Sequence, residues 1–154
     1  MNKLLKLFTL IVLLTNCGFK IVNNSELRNF NIVEIETSGE SRVNFSLKNN
    51  LINKKINNNR KIKLDLETDK IKEIKENNIK NEITKYSITI STKVNFELIG
   101  ENKLGEFTVS KKGNYNVQEQ YSQTLNNEKK LIDSLTDEIV EEIFNNLAQT
   151  VNDL

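Results

Sequence analysis

The chain has 154 residues, 37% of them hydrophobic, with a formal charge of +1, one cysteine and no histidine, proline or tryptophan. Without histidine, Ser-His-Asp and Cys-His catalysis and His-based zinc sites are excluded. The near-neutral charge offers no basic excess for nucleic acid, and a lone cysteine leaves no internal disulfide to staple the fold.

The chain opens with Lys3 and Lys6 followed by an apolar run from Leu7 to Leu14. As a helix that run reaches only about 12 Å, too short for a hydrocarbon core of roughly 30 Å. A basic start, a short apolar stretch and a polar exit describe an export signal over residues 1–16. Leu14-Thr15-Asn16-Cys17 resembles the bacterial lipobox, in which the signal is cut before a cysteine whose thiol is diacylated. Asn16 stands where that pattern usually has a small residue. Acylation of Cys17 supplies a membrane anchor, since each buried CH₂ contributes about 0.8 kcal/mol and several chains hold durably where one does not. Gly18, in place of the Asp that retains lipoproteins at the inner membrane, favours the outer membrane on its periplasmic side. Loss of Lys3 and Lys6 takes the net charge from +1 to −1. Residues 17–28 then form a lipidated tether and residues 29–154 a single domain, large enough to bury about two-thirds of its unfolded surface.

Phe30, Ile32, Val33 and Ile35 among Asn and Glu predict a first strand ending near Gly39. Val43, Leu47 and Leu51 then recur every four residues, with Phe45, Ile52 and Ile56 in the neighbouring row, which predicts a helix over 41–56 capped by Ser41 and stopped at Asn57-Asn58-Asn59. Ile62, Leu64 and Leu66 alternate with Lys and Asp in a second strand. Residues 70–82 are too ragged for a regular element and predict a mobile hairpin tip. Tyr86, Ile88, Ile90, Val94, Phe96 and Leu98 share one parity, the pattern of a long strand with one buried face. Gly100 to Gly105 predicts a turn, and Phe107, Val109, Tyr115 and Val117 a fourth strand paired back on the third. Ile132, Leu135, Ile139, Ile143 and Leu147 describe a long amphipathic helix starting between Asn127 and Ser134. The predicted fold is α+β: strand-helix-strand-strand-strand-helix, a four-stranded mostly antiparallel sheet with two helices packed on one face. The glycines are expected at element boundaries.

No constellation of residues points to catalysis, a cofactor or a metal. Gly100 and Gly105 imitate the front of a phosphate-binding loop, but Glu106 and Phe107 follow where Lys and Ser or Thr are needed. Asp65, Glu67 and Asp69, at alternate positions, read as the solvent face of a half-buried strand. Lys85, Lys93, Lys111 and Lys112 lie along the third and fourth strands, where they either face an anionic ligand through charge-assisted contacts or are solvated lysines of a lysine-rich chain.

Cys17-Gly18-Phe19 after a lipobox-like run, followed by this order of elements and a long C-terminal helix, resembles the LPS-assembly lipoprotein LptE family. The resemblance implies a non-enzymatic outer-membrane lipoprotein that plugs the LptD β-barrel, helps it assemble and takes part in placing lipopolysaccharide at the cell surface. Lys111 and Lys112, with Lys85 and Lys93, are the residues proposed to meet lipopolysaccharide phosphates. A pilot lipoprotein serving another envelope complex, or a tethered periplasmic ligand-binding module, are the competing readings.

Lipidation is directly measurable. Metabolic labelling with a clickable palmitate should mark the protein at Cys17, and Cys17→Ala should lose the label and accumulate as precursor; an unlabelled but normally cleaved wild type contradicts the anchor.

Overall fold

The computed structural model describes residues 30–53 and 60–152. The expected signal, Cys17 and the tether, and the expected end of the first helix at Ile56 with its Asn stop, lie outside the described residues. The elements in chain order are β1 (Asn31–Gly39), α1 (Ser41–Asn53), β2 (Lys61–Asn77), β3 (Ile83–Ile99), β4 (Lys103–Asn116) and α2 (Tyr121–Asn152). The strands lie in the order β1-β2-β3-β4. β1 runs parallel to β2, and the other two pairings are antiparallel. This is the α+β order expected from the sequence, with one parallel pair because α1 returns the chain from the end of β1 to the start of β2.

One face of the sheet is dry. Ile88, Ile90, Val94 and Leu98 of β3 are inaccessible or nearly so, with Phe96 buried in the same row. Leu64 and Leu66 of β2 face Phe96 and Val94 across the ladder. Thr68 and Thr92 interrupt this apolar row, and their buried hydroxyls satisfy each other at 3.1 Å. Val43, Leu47 and Leu51 of α1 and Leu135, Ile139, Ile143 and Leu147 of α2 complete the core. Phe30 stacks on Phe144 of α2, ring centroids 6.1 Å apart. Arg60 ties the bottom of the sheet to the end of α2: its guanidinium donates to the Val151 carbonyl at 2.5 Å and pairs with Glu101 at 3.4 Å. A cation there satisfies a terminal carbonyl and complements the helix dipole.

Four details differ from the sequence expectation. α1 begins at Ser41 as expected, but Ser41 is its first helical residue and not its cap: the Glu40 carbonyl accepts the first helical bond from the Asn44 N–H. Phe45 and Ile52 do not join the core; Phe45 is 71% exposed, since a helix packed on one side keeps only the Val43-Leu47-Leu51 row inside. Residues 70–77 and 83–85 continue β2 and β3 as a two-stranded arm whose register shifts between Ile74 and Asn77, and only residues 78–82 make its tip. α2 starts at Tyr121, where the Thr124 hydroxyl accepts the Gln118 N–H at 2.8 Å. Ser134 and Asp137 therefore lie inside the helix.

Gly105 and Gly113 lie within β4 rather than at its ends. The Phe96 ring covers Gly105 and the Leu131 side chain covers Gly113, so each missing side chain is replaced by a neighbour's.

Gly39 sits at φ +88 where β1 meets α1, and a Cβ there would stand 2.1 Å from the Thr68 carbonyl oxygen. Gly100 has φ +95 with open space around it. Gly100→Ala should therefore cost only the left-handed penalty of about 1–2 kcal/mol, while Gly39→Ala should cost clearly more by chemical denaturation. Equal losses would contradict the close approach of β1–α1 to β2.

Candidate functional site

The four lysines singled out in the sequence do not converge. Successive strand residues point to opposite faces, and Lys111 and Lys112 are consecutive: Lys111 shares the helix-covered face with Ile90, while Lys112 lies opposite Thr89 on the open face. Lys85 and Lys93 also belong to the open face, eight positions apart on β3, about 27 Å. Each has an acid partner. Lys85 meets Glu76 at 2.8 Å, Lys93 meets Glu106 at 3.0 Å, Lys112 meets Glu73 at 3.4 Å, and Lys111 pairs with Glu142 of α2. The hydrogen bond to Glu106 raises the Lys93 ammonium above its ordinary value. The bond to Glu142 does the same for Lys111 against a smaller opposing effect of burial.

Asp65, Glu67 and Asp69 lie on the open face, as read from their spacing. Lys63 reaches between Glu34 at 3.4 Å and Glu36 at 2.9 Å of β1. A shallow depression of about 460 Å³ opens on this face above Phe96 and Gly105, rimmed by Lys63, Asp65, Asn95, Glu97, Leu104 and Glu106. Its rim mixes both signs. Among the described residues no group of acidic or sulfur side chains has the arrangement to hold a metal ion, and no helix is long and apolar enough to cross a membrane.

The most developed polar constellation was not legible in the sequence. Lys72, on the helix-facing side of β2, pairs with Glu128 of α2 at 2.7 Å and lies 4.4 Å from the Tyr86 ring centroid. Tyr115 donates its hydroxyl to the same carboxylate at 2.7 Å and stacks on Tyr86 at 5.6 Å. Three elements are thus joined through one carboxylate at the root of the arm. Burial would push the Glu128 carboxyl up, but the bonds from Lys72 and Tyr115 prevail and hold it below its ordinary value. Burial would likewise lower the Lys72 ammonium, and the bonds to Glu128 and Tyr115 overcome it and raise it. The signal in the sequence was Tyr86 and Tyr115 on one parity, with a lysine on the same face of β2, diagonal to Tyr86 and opposite Ile88. The partner acid lies in the first turns of α2, ahead of the apolar repeat.

This arrangement ties β2, β4 and α2 together at the root of the arm. It defines a small α+β body with one charged sheet face, a projecting two-stranded arm and a long C-terminal helix. No protein-family model matches the chain, and no curated protein matches it in sequence. Solved structures do match in fold. The structure of rare lipoprotein B from Shewanella oneidensis aligns with a TM-score of 0.62 at 15% identity, covering 80% of this chain and 98% of that one. Uncharacterized lipoprotein B from Nitrosomonas europaea aligns with a TM-score of 0.57 at 12% identity, covering 88% and 93%. The fold is therefore the one seen in these lipoprotein B structures, the fold of the LptE family.

The depressed Glu128 carboxyl carries a pH signature. Its contribution is fully present above the ordinary carboxylate value and is lost as pH falls through the lower folded value. That of Lys72 is lost only in alkali above the ordinary lysine value. Glu128→Gln should thus lower stability at neutral pH and flatten its decline below about pH 4.5; an unchanged acid limb in urea titrations would show that the pair is not coupled to folding.

Proposed function

We propose that this protein is an outer-membrane lipoprotein, anchored through Cys17 after removal of residues 1–16, that plugs and helps assemble an LptD-like β-barrel for lipopolysaccharide insertion at the cell surface. The observation that carries this reading is the fold, which spans almost the whole of rare lipoprotein B. The lipobox-like run before Cys17 supports it independently. In this reading the chain is not an enzyme: it has no histidine, and its polar side chains bind one another across elements. Such a body acts by the shape and charge of its outside, as a plug does.

Lys93 and Lys112, with Lys85, are the proposed lipopolysaccharide contacts on the open sheet face. Their acid partners do not disqualify them. The Lys93–Glu106 and Lys112–Glu73 pairs are about half exposed or more, and surface pairs contribute only about 0–1 kcal/mol. A phosphate that forms stronger charge-assisted bonds displaces such a partner. Lys111, held by Glu142 on the opposite face, belongs to the same ligand only if the contact wraps around the edge formed by β4.

Depletion tests the reading in cells. Loss of the protein should lower the amount of correctly folded barrel and admit large hydrophobic antibiotics, whereas an intact permeability barrier would favour a pilot or ligand-binding role elsewhere. The double variant Lys93→Glu, Lys112→Glu should keep the barrel and weaken lipopolysaccharide binding by about tenfold or more, as expected for two charge reversals at phosphate contacts. Unchanged binding defeats the site alone.

A further inference from the structure

The two helices do not begin at the same height along the sheet. Both run from the arm end toward Arg60, and Asn50 of α1 donates to Asp137 of α2 at 2.9 Å, which sets their level. Counted back from that bond, α1 begins nine residues earlier at Ser41, level with Glu128, and α2 begins seven residues before Glu128, at Tyr121. Seven helical residues rise about 10 Å. Over that height α2 stands alone in the helix layer among the described residues, and beside it, in line with α1 and above β2, the layer has a notch.

The walls of the notch are apolar. Glu128 meets Lys72 at 2.7 Å. Two residues further along β2 lies Ile74, on the same helix-facing side and opposite Tyr86, and one turn back along α2 lies Leu125. Tyr121 follows on the same stripe, since 121, 125, 128 and 132 step by four, three and four. Lower down, α2 buries this stripe at Ile132, Leu135 and Ile139, yet Ile74 is 58% exposed, Leu125 45% and Tyr121 75%. The core thus runs on past the start of α1 with nothing to cover it, the mark of a contact surface.

The mouth of the notch is basic. Arg42 of α1 and Lys129 of α2 each lie eight residues before the Asn50–Asp137 bond, so they stand at one level on the two helices. Both are exposed, and neither has an acid partner among the described residues. Glu40 and Glu128, the acids that flank the start of α1, are engaged, the first by Lys70 at 3.0 Å and the second by Lys72 and Tyr115. α1 itself contains no acidic residue.

We propose that this notch receives an acidic amphipathic segment of the β-barrel partner, its apolar side chains on Ile74, Leu125 and Tyr121 and its carboxylates at Arg42 and Lys129. The proposal rests on the plug reading and names the surface by which the plug is gripped. A segment of that chemistry completes the helix layer beside α2, burying the apolar stripe and adding charge-assisted bonds at the rim. A flat lipid surface fits less well, because the apolar residues lie between β2 and α2 rather than along an outward stripe. The notch belongs to the helix-covered side, so the phosphate contacts of the open sheet face stay free.

Photo-crosslinking in cells tests this on the full-length lipoprotein. p-Benzoylphenylalanine replaces Leu125, Ile74 or, on the open sheet face, Leu104, and after illumination the tagged protein is isolated from outer membranes in mild detergent. Expected are crosslinks from positions 125 and 74 to one barrel segment that contains Asp or Glu, a segment position 104 does not reach. Without crosslinker, the pair Arg42→Glu, Lys129→Glu should lower the barrel recovered per lipoprotein by about fivefold or more, as for two reversed rim charges. The neutral pair Arg42→Gln, Lys129→Gln should lose less, and Lys61→Glu with Lys103→Glu, at the far end of the sheet, should lose nothing. Barrel that co-purifies but is crosslinked from neither position 125 nor 74 overturns the notch and leaves the plug reading intact. Crosslinks from position 125 to lipid or to a second copy of the chain overturn the proposed occupant, and equal losses from the two Glu pairs overturn the role of Arg42 and Lys129. A wild type that recovers no barrel overturns the plug reading and this proposal with it.

Discussion

The structure depends on the two-residue alternation of β3. Seven positions from Tyr86 to Leu98 fall on one face, and all but Tyr86 are buried. A strand so one-sided cannot stand in water; its face has to be covered by elements that are themselves one-sided. α1 and α2 meet that need with rows repeating every three or four residues. Once α1 covers the β1 side of the sheet, the parallel β1–β2 pair follows, and with it the close approach of Gly39 to Thr68. The open face can then be polar, and it is.

The same alternation explains what was legible in the sequence. The rows of β2, β3 and both helices were evident because burial on one side imposes a period, and the element order followed from where the period changes. What was not legible lacked that period. In the arm, Lys70 and Lys72 occupy helix-facing positions, and Ile71 and Ile74 fall on opposite faces, so no alternation of apolar and polar residues shows. The first turns of α2, from Tyr121 to Asn127, are mostly polar and are held by the Thr124 hydroxyl and by the Glu128 contacts. Gly105 and Gly113 read as punctuation because a sequence does not show that Phe96 and Leu131 fill the space above them. Phe45 reads as part of the apolar side of α1 because an apolar residue beside a helical row looks buried until the helix's neighbours are known.

The charge distribution has a functional reading that composition hides. The net charge is close to zero, yet acids gather on the open sheet face and on α2, while α1 carries only cations. Most ion pairs bridge elements and lie at the surface, where each contributes little on its own. They are therefore exchangeable, which suits surfaces that meet other charged partners. The Lys72–Glu128–Tyr115 group differs. Its carboxylate is shared by two donors and partly buried, and it fixes the arm's root to α2. A rigid root gives the arm a defined direction, opposite to the end where the described chain starts at Phe30.

As the proposed plug, this body is held by one β-barrel partner at the outer membrane. A plug is enclosed on many sides, so the contact should exceed the roughly 1,200–2,000 Å² of a standard interface and dissociate slowly. The most direct measurement is native mass spectrometry of the protein isolated through a C-terminal tag from outer membranes dissolved in mild detergent. Expected is a single species with one copy of this lipoprotein, still acylated, and one copy of a large β-barrel protein. Recovery of the acylated chain alone from cells whose barrel is fully folded would contradict it.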